Sequence, residues 1–365
     1  MLVVGGGIVG VTSAAFLARR GATVVLAERA ELASGPSGRN LGLVSGPYPR
    51  ELGRIAERSL AAYLALAAEH GSSWVDVADT GCLYLSTDGR NLPEEGGRLD
   101  GDGIAAAEPL LAERFEAGVV LPGRRVDPAA AVAAWAAEAR RHGAEIRTGL
   151  PVRRLLFDRE RVTGAATDEG PLPAGRTVLA SGWEAPALLA ALGRDLGVSG
   201  VRGWIVTTRP APFRLRRPLA EAAFKKAFSA IRQPVVRDLA DGRSTTPVTA
   251  AQIVQDRMGR VALGSSLAAA LGPTDDDGPS AVRAICRRAL ELLPQLAAVP
   301  VAETRTCVRP VSTDGLPLLG PLDGVDGLVL AGGHGGFGLS LGPGSGEAVA
   351  QGILDGVWDP ALLPR

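Results

Sequence analysis

Three glycines near the start of the chain, Gly5, Gly7 and Gly10, have the spacing G-x-G-x-x-G. That spacing suits a diphosphate. Gly5 permits a tight turn, Gly7 lets the diphosphate approach the backbone, and Gly10 lets a helix pack close to a sheet. The N–H groups and partial positive charge of the helix N-terminus then face the anion. Glu28 closes the next apolar run, at the distance expected of an acid that hydrogen-bonds ribose hydroxyls. The pattern points to a dinucleotide and leaves NAD and FAD open. A second glycine cluster lies near the other end, where eight of the seventeen residues Gly332–Ala348 are glycine. Strand-like "LVLA" precedes it and helix-like "AVAQGILDG" follows. A bare backbone between two ordered elements serves close approach to a ligand or positive φ.

The elements that must hold these residues follow from apolar periodicity. Met1–Val4 reads as a buried strand, Ile8–Arg20 as a helix stopped by Gly21, and Thr23–Glu28 as a second buried strand. A βαβ start implies a parallel sheet. Helices are expected over Arg54–His70 and Asp127–His142, and a third buried strand over Arg176–Gly182. From about Val201 to Arg305 the texture changes to antiparallel strands, with a hairpin turn at Met258–Gly259 and a helix over Ala281–Leu293. After Arg309 the βα pattern returns.

Composition narrows the class. The 365 residues suit two lobes rather than one core, and the formal net charge of zero gives no sign of a nucleic-acid partner. Cys82, Cys286 and Cys307 are too dispersed for a disulfide framework or zinc site. His70, His142 and His334 lie far apart in sequence, so no metal centre is expected. No apolar run approaches the ~20 residues of a membrane span. A cytoplasmic location is expected.

The segment Ala33–Gly46, "ASGPSGRNLGLVSG", decides the cofactor. A simple NAD domain would continue into a helix there. A turn-rich loop carrying Ser34, Ser37, Gly38, Arg39 and Asn40 can instead wrap the longer ribityl and flavin part of FAD. With "RPVSTDGLPLLG" and "LVLAGGHGGFGLSLGPGSGEAVA", these motifs resemble the D-amino-acid oxidase superfamily, in its glycine oxidase, sarcosine oxidase and D-amino-acid dehydrogenase branch. The resemblance covers both ends of the chain and is thinner in the middle.

The resemblance implies an α/β fold. A Rossmann-type, glutathione-reductase-like FAD lobe (1–75, 124–200 and 305–365) would carry an inserted antiparallel-sheet substrate lobe (76–123 and 201–304). It implies FAD contacts from Gly5, Gly7, Ile8, Val9, Gly10, Glu28, Arg29, the loop Ser34, Ser37, Gly38, Arg39, Asn40 and Leu41, and from Val152, Ser181 and Gly182. Gly336, Phe337, Gly338, Leu339 and Ser340 would form a loop under the flavin's pyrimidine edge, where backbone N–H groups stabilise negative charge on reduction. Arg309 matches the arginine that grips a substrate carboxylate, for which a guanidinium fork is suited. His334 matches a histidine common at this turn, and Tyr48 with Arg50 would face the substrate.

The implied reaction oxidises the C–N bond of a glycine, D-amino acid or secondary amino acid by hydride transfer to flavin N5, giving an imine. Positioning supplies much of the rate, so no strong base is required. The expected partners are a small amine or amino acid and O2 or another electron acceptor, with a homo-oligomer or partner subunit left open. Cys307 occupies the position of the cysteine that links covalently to FAD in monomeric sarcosine oxidase. Ala262 stands where those oxidases carry a lysine that promotes reaction with O2, and Lys225 and Lys226 lie elsewhere. Three rivals differ from this reading. A flavin hydroxylase would carry Asp where this chain has Gly333. An FAD subunit of a heteromeric amine dehydrogenase would need a partner chain, and an NAD dehydrogenase would lack flavin colour.

Overall fold

The computed structural model describes residues 1–75, 79–112, 115–222, 248–269 and 278–364. Lys225 and Lys226 lie outside the described residues. The strand Leu2–Val4 sits inside a six-stranded sheet whose order is 318–321, 328–332, 177–179, 2–4, 25–27 and 145–147. Its neighbours are parallel, except that Leu318–Pro321 runs antiparallel to Leu328–Gly332. Alternation along the first strand explains why it reads as one apolar run. Val3 packs into the core beneath the helices, whereas Leu2 and Val4 pack into the opposite core with Leu155 and Val162. The helices are Ile8–Arg19, Pro128–Arg141 and Gly338–Asp355. The opposite face carries an antiparallel meander of Val152–Asp158, Arg161–Thr167 and Gly170–Pro173.

An eight-stranded sheet has the order 301–312, 198–210, 260–269, 248–255, 219–221, 82–86, 117–121 and 98–99. All its pairings are antiparallel but one, Leu219–Glu221 with Cys82–Ser86. The helix Gly278–Leu292 covers it through Ile285, Ala289 and Leu292. The turn after Gln255 closes as its sequence suggests, with Gly259 at φ +88° and Met258 exposed. The long strands Val198–Pro210 and Val301–Ser312 pair from Val198 with Ser312 to Thr208 with Val301. A bridge from Val311 to His334 then joins this sheet to the end of the parallel one.

The histidines are not all apart. His70 and His142 converge on the buried carboxylate of Glu138, at 3.3 and 3.0 Å, and Arg141 bonds the same group at 2.7 Å. Burial alone would raise the Glu138 carboxyl, but the hydrogen bonds from Arg141 and His142 outweigh it and hold it low. Glu69, His70 and Glu138 bring metal-ligating atoms within 4.8 Å of one another, and the Arg141 guanidinium already bridges both carboxylates. This knot ties the C-termini of the helices Gly53–His70 and Pro128–Arg141.

Candidate active site

The first strand hands directly to the glycine turn. Gly5 has φ +112°, and a Cβ there would lie 2.5 Å from the Ala180 carbonyl oxygen. A Cβ on Gly10 would fall 1.9 Å from the Gly5 carbonyl oxygen, so only glycine lets this helix seat on the turn. Gly7 is the N-cap of the helix and offers no side-chain cap, and the first turn carries no acid. Its first N–H groups line the opening, and one of them, Ile8 N–H, donates to Ser37 Oγ at 3.0 Å. Glu28 follows the second strand directly, and its carboxylate accepts from Gly6 N–H at 2.6 Å and Ala30 N–H at 2.9 Å.

Asn40 wires the following loop. Its amide donates to the Pro36 and Ser37 carbonyls at 3.0 and 2.9 Å and accepts from Gly42 N–H at 2.8 Å. Gly38 packs against the Ala33 carbonyl. Arg39 and Arg305 then tie the loop to the strand Val301–Ser312, donating to the Thr306 and Asn40 carbonyls.

The C-terminal glycines differ from the expected loop. After Gly333 and Gly335, both at positive φ, a single 3-10 turn spans Gly335–Phe337 and a helix starts at Gly338. Gly338, Leu339 and Ser340 are thus its first turn. Its N-terminus also lacks a side-chain cap and an acid. The helix continues through Pro343, which has no N–H for the Leu339 carbonyl. Tyr63 replaces that donor, its hydroxyl reaching the Leu339 oxygen at 2.8 Å. Gly342, Gly344 and Gly346 serve packing rather than backbone freedom, because Cβ atoms there would strike Ile8, the Ile55 carbonyl and Thr12.

Both glycine regions open into one cavity. Of the expected residues, its lining includes Gly5, Gly7, Ile8, Val9, Glu28, Arg29, Ser34, Ser37, Asn40, Leu41, Val152, Ser181 and Gly182. It also includes Cys307, Arg309, His334, Gly336, Phe337, Gly338, Leu339 and Ser340. Gly10, Gly38, Arg39 and Tyr48 are not among the lining residues. Gly10 and Gly38 shape backbone, Arg39 braces the loop, and Tyr48 packs behind the turn, with its ring 5.6 Å from that of Phe337. Burial pushes the Tyr48 hydroxyl up to about 12, against a hydrogen bond with Ser340. Arg50, exposed, starts a 3-10 turn.

At the far wall, Arg309 Nη1 donates to the Ser266 carbonyl and Nη2 to Ser265 Oγ, both at 3.2 Å. Burial lowers its pKa, opposed by Cys307. His334 is buried, its Nε2 2.9 Å from Ser345 Oγ, and burial lowers it to about 4. It is neutral near pH 7. Cys307 is a buried free thiol. At the mouth, Arg29 pairs with Glu184 at 2.5 Å, and burial raises the Glu184 carboxyl despite that cation.

Sequence reasoning missed Leu43, Trp183, Glu184, Ile205, Gln252 and Ser265, which also line the cavity. Trp183 and Glu184 follow the Ser181–Gly182 turn directly, and that adjacency was the available signal. Ile205, Gln252 and Ser265 come from the strands of the eight-stranded sheet, where only the side-chain alternation could have named them. The cavity suits FAD. Two helix N-termini with no acid in the first turn face it, a Cβ at Gly7 would press on Ser37 Oγ at 2.9 Å, and the buried Ser181 hydroxyl on its wall has no partner among the described residues.

The family model described as FAD dependent oxidoreductase matches residues 1–352. A glycine oxidase of Pseudomonas aeruginosa is 30% identical over 99% of this chain and 97% of its own length. A D-amino acid dehydrogenase of Methylobacterium nodulans is 29% identical over 96% and 94%. Among solved structures, glycine oxidase from Bacillus cereus has a TM-score of 0.81 at 26% identity, covering 99% of this chain and 96% of its own. L-proline dehydrogenase from P. horikoshii shares the fold, with a TM-score of 0.81 at 22% identity over 97% and 93%. No helix among the described residues is long and apolar enough to cross a membrane. The chain belongs to the DAO family and is an FAD-dependent amino acid or amine oxidoreductase.

Proposed function

We propose that this enzyme oxidises the C–N bond of a small amino acid, removing the α-hydrogen as hydride and giving an imine that water hydrolyses. FAD supplies the chemistry, as the hydride acceptor at N5. The observation that carries this reading is Arg309, whose guanidinium shares one cavity with both glycine turns. In this reading Arg309 binds the substrate carboxylate as a charge-assisted pair. The N–H groups of Gly338, Leu339 and Ser340, in a first turn with no side-chain cap and no acid, would stabilise negative charge on a bound flavin. Neutral His334 with Ser345 fixes the wall and carries no positive charge near pH 7. Glu28, Ser37 and the helix at Ile8 would hold the dinucleotide part of FAD. The division of the chain into an FAD lobe (1–75, 124–200, 305–365) and a substrate lobe (76–123, 201–304) is part of the proposal, supported by the two sheets.

The test is anaerobic titration of the yellow holoenzyme with glycine, sarcosine, D-alanine, L-proline and iminodiacetate. Bleaching by one or more is the expected result, and bleaching by none contradicts the proposal. Oxygen readmitted afterwards separates an oxidase from a dehydrogenase. One observation favours a variant of this reading, with FAD bound covalently: Cys307 is free, buried and on the cavity wall. Flavin that stays with the protein after denaturation supports the linkage, and flavin released in full removes it.

A further inference from the structure

Gly203 has no local reason to be glycine. It lies buried in the middle of the strand Val198–Pro210, where its φ is not in the left-handed region. A glycine inside a strand weakens it and marks a place where something comes close. What comes close here is Arg309. An ideal Cβ on Gly203 would lie 2.2 Å from Nη1 and 2.7 Å from both Cζ and Nη2. Register accounts for the meeting. Val201 pairs with Arg309 and Gly203 with Cys307, so these residues share one face with Ile205, and Ile205, Cys307 and Arg309 all line the cavity. The Arg309 side chain lies back over the bare backbone of Gly203. The Ser265 hydroxyl and Ser266 carbonyl hold its other side at 3.2 Å each.

We infer that Gly203 is a positioning residue for substrate binding: with Ser265 it forms the slot that aims the Arg309 guanidinium into the cavity. This rests on the proposed role of Arg309 as the carboxylate anchor. The three atoms nearest a methyl group at position 203 all belong to the Arg309 guanidinium, the far end of a flexible side chain, so the guanidinium shifts and the sheet stays. Such a change acts on substrate affinity and leaves FAD in place.

The test compares wild type, G203A, R309K and the G203A/R309K double variant as FAD-loaded enzymes, with the amino acid that bleaches the flavin fastest. G203A is expected to raise KM about tenfold or more, the scale of losing one hydrogen bond to a charged group. Its flavin spectrum and thermal midpoint should stay close to wild type. In the R309K background, where no planar fork needs the slot, the G203A penalty should largely vanish. An unchanged KM overturns the inference, as does an equal penalty in both backgrounds, which marks a merely structural role. If G203A does not fold, S265A tests the same slot, and KM should rise several-fold. An S265A enzyme with wild-type KM counts against it. R309A reports on the underlying reading separately. Undiminished binding of the amino acid by R309A removes the anchor and this inference together, whereas weakened R309A beside normal G203A removes the slot alone.

Discussion

Burial decides what His334 can do. With its imidazole at about 4, the folded chain favours the neutral form, whereas an unfolded histidine titrates near 6.5. The stability this confers is complete above about pH 6.5 and is lost as pH falls towards 4, on the order of 3 kcal/mol in all. Urea denaturation of the holoenzyme should show that loss, and H334Q should flatten it. Equal slopes in the two proteins would contradict the assignment. Gln252 belongs to the same scale. It lines the cavity from the strand Val248–Gln255, and Q252L should change which amino acids bleach the flavin without changing FAD retention. The dinucleotide residues were legible because glycine spacing and a following acid are local patterns. Gln252 and Ser265 were not, because side-chain alternation sorts a strand into two faces without saying which face meets a ligand.

The helix Gly338–Asp355 shows where local rules give way to packing. Glycine and proline are poor helix residues, so Gly338–Gly346 reads as a loop. The helix forms because neighbours supply what the sequence lacks. Tyr63 hydroxyl serves the Leu339 carbonyl, Ser59 Oγ accepts from Gly344 N–H at 2.8 Å, and Thr12 Oγ1 donates to the Gly342 carbonyl at 3.0 Å. Y63F should therefore leave a buried carbonyl unpaired and lower stability by about 1–3 kcal/mol in chemical denaturation. G346A should be worse tolerated than a surface change, because its Cβ would stand 2.6 and 2.7 Å from backbone atoms of Thr12 and Ser13. A thermal midpoint equal to wild type for G346A would show that the helix pair can relax. The helices Ile8–Arg19 and Pro128–Arg141 were legible in the sequence because apolar periodicity, Gly21 and the Asp127 cap mark them; Asp127 Oδ1 accepts from Ala130 N–H at 3.0 Å.

At the scale of the molecule, the cavity is assembled from residues 4–43, residues 307–340 and segments between them. Arg39 and Arg305 link the early loop to a late strand, and the Val311–His334 bridge joins the two large sheets. A cofactor across such a seam stabilises only the assembled state. Holoenzyme with free FAD at about 100 times Kd should gain roughly 2.7 kcal/mol over apoprotein, read as a concentration-dependent rise in thermal midpoint. The two-sheet plan was legible from the change of texture near Val201. The parallel pairing of Leu219–Glu221 with Cys82–Ser86 was not, because it joins segments far apart in sequence through a strand of three residues. The approach of His70 to Glu138 was hidden because it too joins segments far apart in sequence, whereas His142 lies one helical turn from Glu138.

The central claim is that both glycine turns and Arg309 serve one flavin and one amino acid. A crystal structure of the holoenzyme with a bound amino acid tests it most directly. The account predicts an isoalloxazine ring beside Gly336–Ser340 and a substrate carboxylate in bidentate contact with Arg309. A flavin bound elsewhere, or a carboxylate held by another group with Arg309 turned away, would contradict it.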